Sequence, residues 1–150
     1  MRQFLSVIVL ASVASTERAC DNGWLPFKNQ CYWFSSGSDI FHNAVVICSN
    51  KGSNLIELKT AEEEKWVLLQ SRIRRYTHVW IGLTDVVDEG IYVYPSNGLK
   101  PRYSNWLKTE PSGGRGENCA CLHTEQRLWN DYPCSSRMSY VCKKPAKHFV

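Results

Sequence analysis

Among the side chains with hard oxygens between residue 110 and residue 131, five form a candidate set: Glu110, Ser112, Glu117, Asn130 and Asp131. Three of them are carboxylates, which repel one another when close unless protons or a cation intervene. Carboxylates, amide carbonyls and hydroxyls are what a calcium ion collects, roughly 6–8 oxygens at a time. Sequence spacing alone does not bring residues 110 and 131 together, so the elements around them must do so.

Other chemistries find less support. No Gly-x-Ser-x-Gly, His-Glu-x-x-His or phosphate-cradling loop occurs. The four histidines (His42, His78, His123, His148) lie outside any motif and read as surface residues. Cys119, Cys121 and His123 have a zinc-like look, but a disulfide explains Cys119 better in an exported chain. The chain reads as a binding protein without catalysis.

Export is the reading of the first residues. Arg2 supplies a positive start, residues 4–13 are mostly apolar, and Ala14 and Ser15 are small, as at a cleavage point. Residues 1–15 thus read as a signal peptide, the alternative being a buried N-terminal strand. The apolar run is too short to span a membrane, and no later run is longer. A secreted protein keeps its cysteines oxidised, and there are 7 of them, so six can pair and one is left over. The formal charge of +4 is scattered; its densest run, 72–75, holds three arginines that suit a helix C-terminus or a solvated surface better than a nucleic acid. An apolar content of 43% is too high for disorder, and 150 residues give one domain.

Residues 31–34 form a compact aromatic strand. Ser38 is expected to cap a first helix with Phe41, Ala44, Val45 and Cys48 on one face. Thr60-Ala61-Glu62-Glu63 is a capping box opening a second helix with Trp66, Leu69 and Ile73 inward. Residues 79–83, 91–94, 127–131 and 139–142 read as short strands, and 97–116, rich in Gly, Pro, Ser and Asn, as a long ordered loop. The tail from residue 143 onward is expected to fray. Strands, then helices, then strands give an α+β fold.

These segments resemble the C-type lectin-like domain family. Trp80-Ile81-Gly82-Leu83 is similar to its WIGL signature and Trp129-Asn130-Asp131 to its WND motif. Glu110-Pro111-Ser112 and Glu117-Asn118-Cys119 lie between them in the family's order. Cys31-Tyr32-Trp33-Phe34-Ser35 and Leu128-Trp129-Asn130-Asp131-Tyr132 resemble secreted molluscan, perlucin-like members. The resemblance covers residues 20–143, leaving 144–150 as a tail. It implies two helices with two small antiparallel sheets, a calcium-binding long-loop region and disulfide staples.

The resemblance also implies pairings: Cys20 with Cys31, Cys48 with Cys142, and Cys119 with Cys134. Cys121 is left over, either buried and inert or exposed and joined to a second chain as a disulfide-linked homodimer. It implies further that Glu110, Ser112, Glu117, Asn130 and Asp131 hold the principal calcium and the sugar, two sugar hydroxyls completing the ion's shell. Pro111 resembles the family's cis-proline, which turns both neighbours toward one ion. Asp85, Glu89 and Asn118, with Glu117, match an auxiliary calcium site, although Gly113 stands where the family usually has another acid or amide.

Ser112 is the departure. Mannose-type members have Glu-Pro-Asn there and galactose-type members Gln-Pro-Asp. Glu110 keeps the mannose polarity, but a serine gives a hydroxyl in place of an amide. Weaker or broader binding follows, with mannose, glucose, GlcNAc or fucose favoured over galactose. The expected function is calcium-dependent recognition of microbial surface glycans in innate immunity, with agglutination where several sites act together. The alternative is a perlucin-like domain contacting matrix, mineral or protein with no sugar.

Overall fold

The computed structural model describes residues 18–148; the expected signal peptide over residues 1–15 lies outside them. The elements in order are β1 (Arg18–Ala19), β2 (Leu25–Phe27), β3 (Gln30–Phe34), α1 (Phe41–Asn50), β4 (Asn54–Leu55), α2 (Ala61–Ile73) and β5 (His78–Thr84). A single 3-10 turn (Gly114–Gly116) precedes β6 (Cys119–His123), β7 (Leu128–Tyr132), β8 (Ser139–Pro145) and β9 (Lys147–His148).

The α+β expectation holds, with one difference in the sheets. In place of two separate antiparallel sheets, β8 joins both parts into one mixed sheet in the order β2-β3-β8-β5-β6-β7, with β4 also on β8. Seven residues long, β8 gives Ser139 and Tyr140 to a parallel pairing with β5 and residues 141–145 to an antiparallel pairing with β3. The two parts of the sheet therefore meet on one strand.

Alternation along β5 sorts the core. Trp80 faces a cluster with Phe41, Cys48, Met138 and Tyr140, while Ile81 and Leu83 face a second with Tyr32, Ile56, Val67, Leu122 and Trp129. Gly82 is required by a close approach: its N–H donates to Ile56 O at 2.6 Å, and a Cβ there would stand 2.5 Å from Leu55 O. Three disulfides, Cys20–Cys31, Cys48–Cys142 and Cys119–Cys134, join the pairs that the resemblance implies.

Several local expectations are corrected. Helix α1 begins at Phe41 without Ser38; the Asp39 carboxylate accepts from Ile40 N at 2.8 Å and from Asn43 Nδ2 at 3.0 Å. Thr60 does cap α2, accepting from Glu63 N at 3.1 Å, but Glu63 reaches back to Lys59 N instead of Thr60 N. The face of α2 turned inward is Glu63, Glu64, Val67, Leu68 and Ser71, so Leu69 and Ile73 point outward. The helix turns this way because both carboxylates find partners inside. Glu63 takes the Tyr32 hydroxyl at 2.7 Å and the Lys143 ammonium; Glu64 takes Asn105 Nδ2 at 3.0 Å and the Tyr103 hydroxyl.

Residues 91–94 make no strand. Only Val93 pairs, with Thr84, between Gly90 at φ 82° and Pro95. The C-terminal segment is paired rather than frayed: β8 continues to Pro145, β9 pairs with β1, and Lys144 and Lys147 both reach Asp21.

Candidate calcium and ligand site

The long loop reaches β7 through backbone pairing. Trp129 N donates to Asn105 O and Leu107 N to Trp129 O, both at 2.8 Å, and Glu110 N then donates to Leu107 O. That path carries Glu110 back beside the strand that bears Asp131. Beneath it lies an aromatic layer: Tyr92 meets Trp106 at 4.8 Å between centroids, and Trp129 meets both Trp106 and Tyr103 at 5.7 Å. Trp129, 1% exposed, belongs to this floor and offers no open stacking face.

The loop brings Glu110, Glu117 and Asp131 together, with one oxygen of each within 4.8 Å of the others. Among the described residues this is the one group of three His, Cys, Asp or Glu side chains so close. The Glu110–Pro111 bond is cis, and the Ser112 hydroxyl donates to Glu110 Oε2 at 2.6 Å. Backbone N–H groups of Ser112 and Gly113 donate to Asp131 Oδ2 at 3.0 and 2.8 Å. Glu117 lies over Gly113, where a Cβ would collide with its side chain. Tyr92 fixes the same stretch by donating to Glu117 O at 3.2 Å.

Electrostatics follow from the crowding. The hydrogen-bonded contact with Asp131 pushes the Glu110 carboxyl above its ordinary range. Burial works against ionisation of Asp131, yet the contact with Glu110 and the two backbone donors together hold it below the ordinary value. Burial, and then the charges of Asp85, Asp131, Glu89 and Glu117, push the Tyr92 phenol upward, which places negative potential at this end of the molecule.

A cation fits this arrangement on two observations. Three carboxylates converge, and the side-chain oxygens Asn130 Oδ1, Asn118 Oδ1 and Asp85 Oδ1 are buried without a hydrogen-bond partner. Buried acceptors are rarely left unpaired. Asp85 and Asn118 are tied by Asp85 N donating to Asn118 O at 3.1 Å, and the other Asp85 oxygen takes Gly90 N at 2.8 Å. Glu89 is exposed. The structure does not bring Asp85 or Glu89 into the group formed by Glu110, Glu117 and Asp131.

Of the two fates open to Cys121, the structure has the buried one. It is 0% exposed, and burial pushes its thiol up to about 12. A disulfide to a second chain through Cys121 has no route, so the expected disulfide-linked dimer is withdrawn. Sequence reasoning missed the backbone donors of Ser112 and Gly113 and the Tyr92 hydroxyl; none has a side-chain signature that marks it beforehand.

The Lectin C-type domain family matches residues 37–144. A perlucin-like protein of Mytilus galloprovincialis is 29% identical over 144 residues, covering 93% of this chain and 92% of the relative. The CD209 antigen of Papio hamadryas is 34% identical over 132 residues, which are 86% of this chain but only 36% of that protein's length. Among solved structures, the carbohydrate-recognition domain of the mouse scavenger receptor C-type lectin is 31% identical with a TM-score of 0.79, covering 87% of this chain and 100% of that one. The cow CD23 domain, solved in the presence of a GlcNAc2Man3 oligosaccharide, is 30% identical with a TM-score of 0.77, covering 87% and 98%. A calcium-independent type II antifreeze protein, at 22% identity and a TM-score of 0.78 over 87% and 98%, shares the fold. The family is one of non-enzymatic binding proteins, and among the described residues no helix is long and apolar enough to cross a membrane. This chain belongs to the C-type lectin domain family.

Proposed function

We propose that the chain binds carbohydrate through a calcium ion held by Glu110, Ser112, Glu117, Asn130 and Asp131. The observation that carries this reading is the convergence of Glu110, Glu117 and Asp131 within 4.8 Å. The unpartnered oxygen of Asn130 supplies the amide that a sugar diol needs beside carboxylates. When bound, calcium offers open coordination positions to two neighbouring hydroxyls. Glu110 and Glu117 would accept from those hydroxyls, and Asn130 Nδ2 would donate to one of them.

The acid-first order of Glu110-Pro111-Ser112 favours mannose- and GlcNAc-type sugars, and the oligosaccharide in the cow CD23 crystals is of that composition. A second calcium would use Asp85, Asn118 and Glu89, the unpartnered oxygens of the first two being its support. Secretion and recognition of microbial surface glycans in innate immunity complete the reading, with agglutination resting on multivalent display rather than on Cys121.

The test is retention on mannose resin. Binding in calcium that EDTA and free mannose each abolish supports the site. No retention on mannose, galactose or GlcNAc resins removes the lectin reading and leaves a binder of matrix, mineral or protein.

A further inference from the structure

We propose that the outer face of α2 is a calcium-independent docking surface for anionic phospholipid membranes. Leu69 and Ile73 are 57% and 66% exposed, one turn apart on the same side of the helix. Lys65 and Arg72 fall on that side too, by spacing of four and three residues from Leu69. Arg74 and Arg75 follow at the helix end.

Among the described residues, Lys65, Arg72, Arg74 and Arg75 form no ion pair, whereas the nearby Glu62 is already taken by Lys28 at 2.5 Å. Arg74 lies over the Phe34 ring at 4.3 Å, which holds its guanidinium at the rim of the face. Trp66, stacked on Phe27 at 4.7 Å, forms the apolar border on the other side.

Apolar side chains flanked by cations on one helical face are the composition of an interfacial membrane contact. The apolar groups enter the headgroup boundary and the cations stay with the phosphates. A second copy of the chain is disfavoured as the occupant, since the same face would set these cations against their own copies. A soluble polyanion uses the cations and gains nothing from Leu69 and Ile73; the apolar pair set among unpaired cations is what an anionic bilayer complements. The face is carried by α2 and shares no residue with the calcium site.

The test is flotation of the full chain with sugar-free vesicles in EDTA, so that the lectin reading plays no part. Vesicles of phosphatidylcholine are compared with vesicles containing one third phosphatidylglycerol. Partition onto the phosphatidylglycerol vesicles is expected to be at least about tenfold greater, as several interfacial bases imply. Leu69→Ser with Ile73→Ser, both at exposed positions, should reduce it severalfold while thermal melting stays unchanged, and Arg72→Glu should reduce it independently. Equal partition onto both vesicles, or a double serine variant that floats like the parent, overturns the proposal. Retention on heparin with no flotation also overturns it and assigns the face to a soluble polyanion.

Discussion

Glu110 and Asp131 lie within one hydrogen-bonded cluster, yet their acidities are driven apart. Ser112 joins them, donating through its hydroxyl to Glu110 at 2.6 Å and through its backbone N–H to Asp131 at 3.0 Å. The contact with Asp131 raises Glu110, while the same contact, together with the backbone N–H groups of Gly113 and Ser112, keeps Asp131 depressed against its own burial. In the calcium-free protein a falling pH therefore protonates Glu110 first. The folded state holds that proton more tightly than the unfolded chain, so stability rises as pH falls through the Glu110 range. It is lost again at lower pH, where depressed Asp131 must protonate. Calcium bound as proposed would reverse the first step, because its binding would release the Glu110 proton. Calorimetric titration should show calcium affinity falling by up to about tenfold per pH unit below the Glu110 pKa. An affinity flat across the acidic range would show that the two carboxyls are not linked in this way.

Glu110→Gln separates charge repulsion from ligation. It removes one of three crowded carboxylates while keeping the shape, so melting of the EDTA-treated variant should match or exceed the parent. Calcium affinity should fall by at least about tenfold, by analogy with the loss of supporting groups at metal sites. A variant with lower calcium-free stability would mean that the Ser112–Glu110 bond outweighs the repulsion.

Gly113 has a different role. A Cβ there would occupy the space where Glu117 lies, so Gly113→Ala should displace that carboxylate from the cluster. The Glu117 Cβ itself would stand 2.2 Å from the new methyl, so the loop backbone over residues 113–117 must shift while β7 keeps its pairing, and the expected result without calcium is a modest loss of melting temperature. Added calcium should stabilise the variant much less than it stabilises the parent, since ligand-induced stabilisation follows affinity. Equal calcium-induced shifts would show that Glu117 is not a ligand or reaches the ion by another rotamer.

The convergence of Glu110, Glu117 and Asp131 was legible because the motifs that flank the long loop mark the strands it must connect. Trp80 and Ile81 lie on opposite faces of β5 as alternation requires, and Thr60 caps α2 as its capping box indicates. The outer face of α2 was not legible. Apolar periodicity favoured Trp66, Leu69 and Ile73 inward; Trp66 does pack on the core, but Leu69 and Ile73 are exposed and Glu63 and Glu64 are turned in instead. Their partners Tyr32, Lys143, Tyr103 and Asn105 come from distant parts of the chain. Residues 91–94 alternate like a strand, yet Tyr92 and Tyr94 are buried and only Val93 finds a strand partner, while the Ile91 and Tyr94 N–H groups turn to the loop carbonyls of Asp88 and Leu99. In both cases a long-range contact outweighs a local pattern.

Cys121 should be chemically silent in the native protein. Burial removes access and holds the thiol up to about 12, so thiolate is scarce at neutral pH. Ellman's reagent at pH 8 should titrate almost no thiol in the native protein and one per chain in guanidinium. Non-reducing electrophoresis should give a monomer. A disulfide-linked dimer that Cys121→Ala abolishes would contradict the buried placement.

Ser112→Asn tests the residue at which this site departs from the mannose-type pattern. The serine hydroxyl is engaged with Glu110 and offers a sugar no amide donor. An asparagine restores a carbonyl for the ion and an N–H for a sugar hydroxyl, and one such net hydrogen bond is worth about 0.5–1.5 kcal/mol, or roughly two- to tenfold in affinity. Competition by free mannose on mannose resin should therefore shift to lower concentration by that factor for Ser112→Asn. Ser112→Ala should bind mannose no better than the parent. Calcium affinity of the asparagine variant should rise in parallel, because the same side chain serves both ion and sugar. A rise in calcium affinity with no change for any sugar would place residue 112 on the ion alone and leave sugar contact to Glu110, Glu117 and Asn130. No change in either would mean that position 112 does not reach the ion, and the ligand set would shrink to the three converging carboxylates with Asn130.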